Sequence, residues 1–412
     1  MPTTLIRSQS TLIPQQSGVS VAALPYSQVI SLPSLWASVA DAVVLVAPVA
    51  IFSGGGITMT VTLWRATIAN ALVEDISDYL VDGSIDLNLD RAVKLGASFT
   101  IREPSKVTAY TDFLAPIVQY DYDDGRASIT QQLGLFAIIV PPGTYSYDDS
   151  VAVFEGSDLT SVMATSILTD AYNVASGTNV ATAIIALITT SGITRSNIPA
   201  TTRTAAAAWS FKVGSSRLDA ANELCRSIGW YELGMDLDGR VSTPGATRAL
   251  TSVQPFASYV DGDLIDSLQI QPSPNQIANL IVVINDDATA APLTSTATNT
   301  NPASPTSTVA IGRTIGRSEK LTGSVTQADL DAYSARLLSE GASYYRTGKV
   351  KILPDPNGLK AHQAVRLTLT GKMAIMSGLW WVRTATMGLT PGSAPLELDV
   401  NQVTSDLVGG AI

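Results

Sequence analysis

From Ser84 to Asp90 apolar and polar residues alternate strictly, with Ile85, Leu87 and Leu89 on one side and Asp86, Asn88 and Asp90 on the other. A period of two predicts a half-buried strand. Ala97, Phe99 and Ile101 alternate in the same way with Ser98, Thr100 and Arg102, so a second strand follows. The short link from Asp90 to Gly96 makes the pair a hairpin with an irregular turn. Asp82-Gly83 predicts a turn just ahead of it. Ile117, Val118 and Tyr120 predict a further strand that closes in the acidic turn Asp121 to Gly125. Hairpins at this spacing point to an antiparallel barrel or sandwich rather than a parallel sheet.

The pattern changes along the chain. Residues 1–58 are interrupted by Pro14, Pro25, Pro33 and Pro48. Short strands around Val19 and Val21 and from Val43 to Phe52 are expected there, with Ser53-Gly54-Gly55-Gly56 as a hinge. Gly134 to Val140 reads as a buried strand before the Pro141-Pro142-Gly143 turn. Val151 to Phe154 leads into Glu155-Gly156-Ser157-Asp158, which predicts a helix cap. Leu159, Met163, Ile167 and Ala171 fall four apart, as on one helical face. A second helix is predicted from Asn179 to Ser191, stopped by Gly192. Trp209-Ser210-Phe211 precedes a third helix that starts at the capping-box-like Ser216–Asp219, carries the stripe Leu218, Ala221, Leu224, Cys225 and Ile228, and ends at Gly229. Tyr231, Leu233, Met235 and Leu237 then alternate up to an Asp238-Gly239 hairpin turn.

Strands return after residue 250. Ile277 to Ile284 is an apolar strand. The Ser/Thr/Ala/Pro/Asn run at 288–310 reads as an exposed loop. Thr326 to Asp329 caps a helix whose face is Leu330, Tyr333, Leu337, Gly341 and Tyr344. Val350 and Ile352, then Val365, Leu367 and Leu369, then Trp381 and Arg383, then Leu396, Leu398 and Val400, supply further strands, with a turn at Pro354 to Gly358. The order is β, then α+β, then β with one embedded helix.

Composition adds a partner argument. The 412 residues are 46% hydrophobic and only 15% charged, so much of the polar surface is neutral, as in proteins packed against other subunits. A net charge of −10 opposes a nucleic-acid grip, which needs clustered Lys and Arg, but permits passage of nucleic acid through a channel. Cys225 is the one cysteine, which excludes an intrachain disulfide and a multi-cysteine zinc site; on an apolar helix face it reads as a small buried hydrophobe. No apolar run reaches the ~18 residues of a membrane helix. Ala42 to Phe52 is short and broken by Pro48, and the first residues do not read as a signal peptide.

Little catalytic chemistry emerges. His362 is the single histidine, so any Ser-His-Asp or Cys-His scheme would have to use it. It stands between a turn and a strand with no G-x-S-x-G nearby, and reads as a solvated or edge-strand residue. The carboxylate groups Asp121, Asp123 and Asp124, Asp148 and Asp149, and Asp236 with Asp238 sit in turn contexts, where aspartates bond their own backbone. The first group lacks the later Glu of a calcium loop. The glycines at 54–56 are followed by no Lys-Ser/Thr, so there is no P-loop. Alternation at Trp380-Trp381 places one ring inside and one outside, the outer as an interface anchor. No catalytic, cofactor-binding or metal-ligating residue is nominated, and no cofactor is expected.

Three blocks carry a family resemblance. The first runs from Glu74-Asp75-Ile76 through Asp82-Gly83-Ser84-Ile85-Asp86-Leu87-Asn88-Leu89-Asp90-Arg91. The second runs from Lys212-Val213-Gly214 through Leu224-Cys225-Arg226-Ser227-Ile228-Gly229-Trp230-Tyr231-Glu232-Leu233 to Asp236-Leu237-Asp238-Gly239. The third is the helix at Ala335 to Tyr345 with Val350-Lys351-Ile352 and the turn before Val365. Together they span about residues 60 to 400, and their order and wording resemble the tail-hub, baseplate-hub or minor tail proteins of tailed bacteriophages.

The resemblance implies a mainly β fold with α+β: two antiparallel β-barrel-like domains flanking a small α+β domain. Residues 1–58 lie outside the resemblance and read as an N-terminal arm or accessory segment; on the rest of the chain it gives a first barrel at 59–154. An α+β insertion follows at 155–250, then a second barrel at 251–412 with an embedded helix and a flexible loop at 288–310. It also implies a non-enzymatic virion protein of the tail tip, made in the host cytoplasm. Three copies would form a ring that adapts a hexameric tail tube to a threefold tip. DNA would pass through the lumen without specific binding. Expected neighbours are distal tail and tail tube proteins, the tape measure protein and tip spike or fibre proteins, with no stable membrane insertion. Closed rings use heterologous contacts, which suit broad surfaces of low charge. The hairpins at 84–102 and 349–369 are the expected ring contacts, with Asp86 and Asp90 as test positions.

Two other classes compete. A receptor- or carbohydrate-binding tip protein would use the 288–310 loop or the N-terminal arm, and glycan-array binding would reveal it. A tail-associated cell-wall hydrolase would clear a zymogram.

Overall fold

The computed structural model describes residues 57–122, 127–138, 151–245, 257–260, 265–272, 277–285, 292–321, 325–342, 346–352, 359–360, 362–389 and 396–402. The expectations for the N-terminal arm, the Pro141 turn and the Pro354 turn lie outside them.

The first β region holds β1 (Ile57–Ala66), β2 (Leu72–Asp75), β3 (Leu80–Asn88), β4 (Leu95–Arg102), β5 (Phe113–Tyr122), β6 (Ile129–Gln132), β7 (Phe136–Ile138) and β8 (Val151–Ser157). The alternation is kept: Ile85 and Leu87, then Ala97, Phe99 and Ile101, are buried while the residues between them stay half-exposed. One turn expectation fails, and three of the four residues expected to cap a helix fall in a strand. Asp82-Gly83 lies within β3, where the ladder to β4 slips between Leu80 and Asp82. The bulge falls at Val81, and the Gly that reads as a turn in sequence pairs in register with Phe99. Glu155-Gly156-Ser157 lies within β8. Gly156 is there for packing, since a Cβ on it would stand 2.9 Å from Phe136 Cβ. Phe136 in turn meets Phe99 edge-on at 5.9 Å between ring centroids.

The α+β region holds α1 (Thr160–Thr165), β9 (Tyr172–Val174), α2 (Val180–Thr190), β10 (Ser196–Asn197), β11 (Trp209–Phe211), α3 (Arg217–Ser227), β12 (Gly234–Met235) and β13 (Val241–Ser242). The caps of α2 and α3 are as expected. Asn179 accepts from the Thr182 amide and Ser216 from the Asp219 amide, and Gly192 and Gly229 take positive φ just beyond the helix ends. The helix expected through Ala171 stops at Thr165. Ile167 instead bridges Ser216, with its side chain exposed. Asp158 bonds the Thr160 amide and, through its other oxygen, the Leu95 amide, so it ties α1 to the start of β4.

The last region begins with β14 (Ala257–Val260) and β15 (Ile265–Pro272). A compact module follows: β16 (Leu280–Asn285), β17 (Leu293–Thr298), α4 (Thr308–Ile311), β18 (Gly316–Leu321) and α5 (Gln327–Ala342). The chain ends in β19 (Arg346–Ile352), β20 (Ala364–Thr368), β21 (Gly378–Gly388) and β22 (Leu396–Gln402). The exposed loop expected at 288–310 is a correction, because residues 293–298 are strand β17 and 308–311 are helix α4. Between them Asn299, Ser304 and Thr306 are buried and bond one another, Asn299 Nδ2 donating to Ser304 Oγ at 2.9 Å. A small polar core, invisible to a hydrophobicity pattern, replaces the loop.

The protein is mainly β with α+β, as expected. Its two β regions are joined. β21 pairs with β3 from Thr384↔Asn88 to Gly388↔Ser84, so one sheet of 14 strands runs β15-β19-β22-β21-β3-β4-β8-β7-β5-β1-β2 with β14, β20 and β6 attached. The described pairings do not close on themselves. The large apolar core beneath this sheet also takes in α1 to α3, whereas β16, β18 and α5 share a second core of their own. Among the described residues no helix is long and apolar enough to cross a membrane.

Candidate functional site

Among the described residues, the positions singled out in the sequence do not come together in one site. Cys225 is buried in the main core, and burial pushes its thiol well above the ordinary value. Asp236 accepts from the Arg240 amide at 2.9 Å, in the turn where Gly239 has φ +68°. Partial burial raises the Asp236 carboxyl, and Asp238 pairs with Arg240 at 3.5 Å. Asp121 accepts from Ser128 and Gln119, which hold its carboxyl low. Asp123, Asp124, Asp148 and Asp149 lie outside the described residues. Among those described, no group of three His, Cys, Asp or Glu could hold a metal ion.

Two expectations are corrected. Trp380 and Trp381 are both buried, at 0% and 4% exposure. Trp380 enters the main core, while Trp381 packs with Ala364 and Leu89 on the opposite face of the sheet. The face that reads as outside is covered by the protein itself. His362 is also buried, at 8% exposure, with φ +58°. Its ring lies 4.7 Å from that of Tyr231.

His362 marks the place where the sheet, the α+β region and the α5 module meet around a cavity of about 240 Å³. Lys94, on the β3–β4 link, donates to the carbonyls of Leu89 and Arg91 at 3.1 and 2.7 Å and to Glu232 Oε2 at 2.9 Å. Arg226 stands 3.7 Å from the other Glu232 oxygen. Burial works against ionised Glu232, but Lys94, Arg226 and Arg336 outweigh it and hold the carboxyl below its ordinary value. From α5, Arg336 lies over the rings of Tyr231 and Tyr333 at 4.4 and 4.7 Å, donates to the Gly229 carbonyl at 3.0 Å, and pairs with Glu340 at 3.7 Å. The Tyr231 hydroxyl donates to Glu340 at 3.1 Å. Arg203 and Asp329 make a second ion pair between the α+β region and α5. Nothing in the hydrophobic period marks Lys94, Arg203 or Arg336. The available signal was Arg336-x-x-x-Glu340 on one helical face and Glu232 within an apolar alternation.

Of the two expected ring-contact hairpins, 84–102 lies inside the sheet, and 349–369 is not a hairpin, because β19 and β20 pair with other strands and not with each other. β3 is flanked by β21 and β4, and β19 by β15 and β22. Asp86 pairs with Arg91 at 2.9 Å, and Asp90 pairs with Arg383. Both test positions are therefore tied within the chain. Beside them, a polar groove of about 680 Å³ crosses β15, β19, β22 and β21, lined in part by Gln269, Gln271, Thr347, Lys349, Thr384 and Asp399.

No protein-family model and no curated protein sequence matches the chain. Solved structures do. A tail protein from Neisseria meningitidis MC58 superimposes with a TM-score of 0.58 at 13% identity, over 83% of this chain and 96% of that one. The 43 kDa tail protein of prophage MuSo2 from Shewanella oneidensis gives 0.52 at 13% identity, over 84% and 99%. Identity this low speaks for architecture alone, and over more than four fifths of its length the chain has the fold of these tail proteins.

Proposed function

We propose that this chain is a structural virion protein of a phage-type tail, and within the tail the hub at its tip. Three copies close a ring that adapts a hexameric tube to a threefold tip, and DNA leaves through the bore. The observation that carries the reading is the extent of the fold likeness, which takes in 96% and 99% of two tail proteins rather than one shared module. Charge supports it, since a net −10 repels phosphate and favours sliding over sticking. So does the groove across β15 to β21, a broad polar surface with its charges largely balanced, of the kind that heterologous ring contacts use. Its neighbours would be distal tail, tube and tape measure proteins above and a spike or fibre below. Its role would be shape, with no turnover of substrate.

Native mass spectrometry of the full chain, and imaging of particles that contain it, test the reading. Three copies around a central bore at one end of a tail are expected. A chain found outside particles, or in particles with a ring of different order, would overturn the hub assignment.

A further inference from the structure

We propose that residues 277–342 form a latch: a self-contained module that swings as a unit on the ends of β15 and β19, and that the Tyr231–Arg336–Glu340 cluster holds shut. Three observations carry this, none dependent on the tail reading.

The module has its own interior. Ile281, Val283, Leu321, Leu330, Tyr333 and Leu337 bury one another in a cluster that does not merge with the main core. Asn299, Ser304 and Thr306 satisfy a second interior within it. A body with its own core stays folded when it moves.

The attachment suits a hinge. The chain enters the module after Pro272 and leaves it before Arg346, and these two residues are partners in the antiparallel β15–β19 ladder. Both connections therefore start at one end of that ladder. Rotation about that end leaves the ladder from Ile265↔Ile352 to Pro272↔Arg346 intact.

The seam is built from charge and π contacts. Arg336 sits over Tyr231 and bonds the Gly229 carbonyl, Glu340 accepts from the Tyr231 hydroxyl, and Asp329 pairs with Arg203. Such contacts are directional and salt-sensitive. Those that water can reach are each worth little, in contrast to a shared apolar core. Opening the seam uncovers the cavity walled by Tyr231, Glu232 and His362.

The single histidine supplies the reporter. His362 is 8% exposed on the wall of that cavity. Carbethoxylation of the full chain by diethylpyrocarbonate near neutral pH, located by peptide mass, reads its accessibility, with free imidazole in the same buffers as reference. Amide exchange in β16 and α5 is followed in parallel. In Arg336→Gln His362 should react about tenfold faster, the shift expected on losing a desolvated cation–π contact, and the wild type at about 1 M salt should accelerate less, because Arg336 and Glu340 are largely buried and screened little. Protection in β16 and α5 should hold. An unchanged His362 rate in both conditions would overturn the latch. So would acceleration in step with lost protection in β16 and α5, because the module would then be unfolding rather than swinging.

Discussion

Replacing Lys94 tests whether a single buried charge docks the α+β region onto the sheet. Its side chain is 4% exposed and its ammonium has three acceptors, two carbonyls on its own link and Glu232. Lys94→Met keeps most of the apolar stem and removes the charge. The two carbonyls lose a charged donor, an effect of about 1–3 kcal/mol. Glu232 loses its nearest cation. Breaking a fully buried pair costs about 3–5 kcal/mol, but Glu232 is a third exposed and keeps Arg226 at 3.7 Å, so its share falls well below that. The sum is about 2–4 kcal/mol of lost stability. Glu232→Gln leaves Lys94 with its two carbonyls and should cost less, about 1–2 kcal/mol. In the double variant the charges vanish together, so its loss should fall short of the summed single losses by about 1–2 kcal/mol. Urea unfolding followed by tryptophan fluorescence, with the slope checked for each variant, measures all four corners. A Lys94→Met loss below about 1 kcal/mol, or additivity within about 0.5 kcal/mol, would show that Lys94 merely fills space.

Other sites give independent checks. Because Glu232 titrates below its ordinary value of 4.5 in the folded chain, its contribution is present above that value and is lost as pH falls through the lowered one. Wild type should therefore lose stability on acidification more steeply than Glu232→Gln, and equal slopes in a pH series of unfolding curves would contradict the pairing. Asp158 accepts only from donors, the Leu95 and Thr160 amides and the Thr160 hydroxyl. Asp158→Asn sets an NH2 against one of them and should cost about 2 kcal/mol by the same unfolding assay, whereas a neutral outcome would show that the carboxylate is dispensable. A Cβ on Gly341 would lie 3.0 Å from Ala278 Cβ and 3.1 Å from the Ala278 carbonyl oxygen, so Gly341→Ala should destabilise the module by about 1–3 kcal/mol despite its gain in helix propensity. Exchange in α5 would register it, and increased protection there would refute the tight approach.

Much of the framework was legible because it rests on periodicity. Strands β3, β4, β20 and β22 bury the residues that alternation assigns to the inside. Asn179, Ser216 and Thr326 cap the helices they precede through local bonds that depend only on spacing. Four of the failures share one physical origin. Period and turn chemistry describe a segment with its neighbours in the chain, whereas Gly83, Gly156, Trp381 and His362 are set by what arrives from elsewhere. Gly83 reads as a turn until β4 fixes it in a ladder. Trp381 reads as solvent-facing until Ala364 and Leu89 cover it.

The candidate site lay outside the pattern for the same physical cause. Lys94, Arg203 and Arg336 stand on three separate segments, and each resembles an ordinary surface cation in sequence. Each acquires its role from a partner more than 100 residues away: Lys94 from Glu232, Arg203 from Asp329, and Arg336 from Gly229 and Tyr231. Apolar packing is tolerant of exact partners, so a core can be inferred from composition and period alone. Charged docking is not, because removing one partner strands the other. The α+β region and the α5 module are thus held by contacts that specify orientation, over cores that specify only burial. In a protein whose fold recurs at 13% identity, the cores need retain no more than their apolar character. The seams of this chain depend on particular pairs, and substitutions at Lys94, Glu232 and Arg336 should therefore alter the relative placement of the parts before they alter the parts themselves.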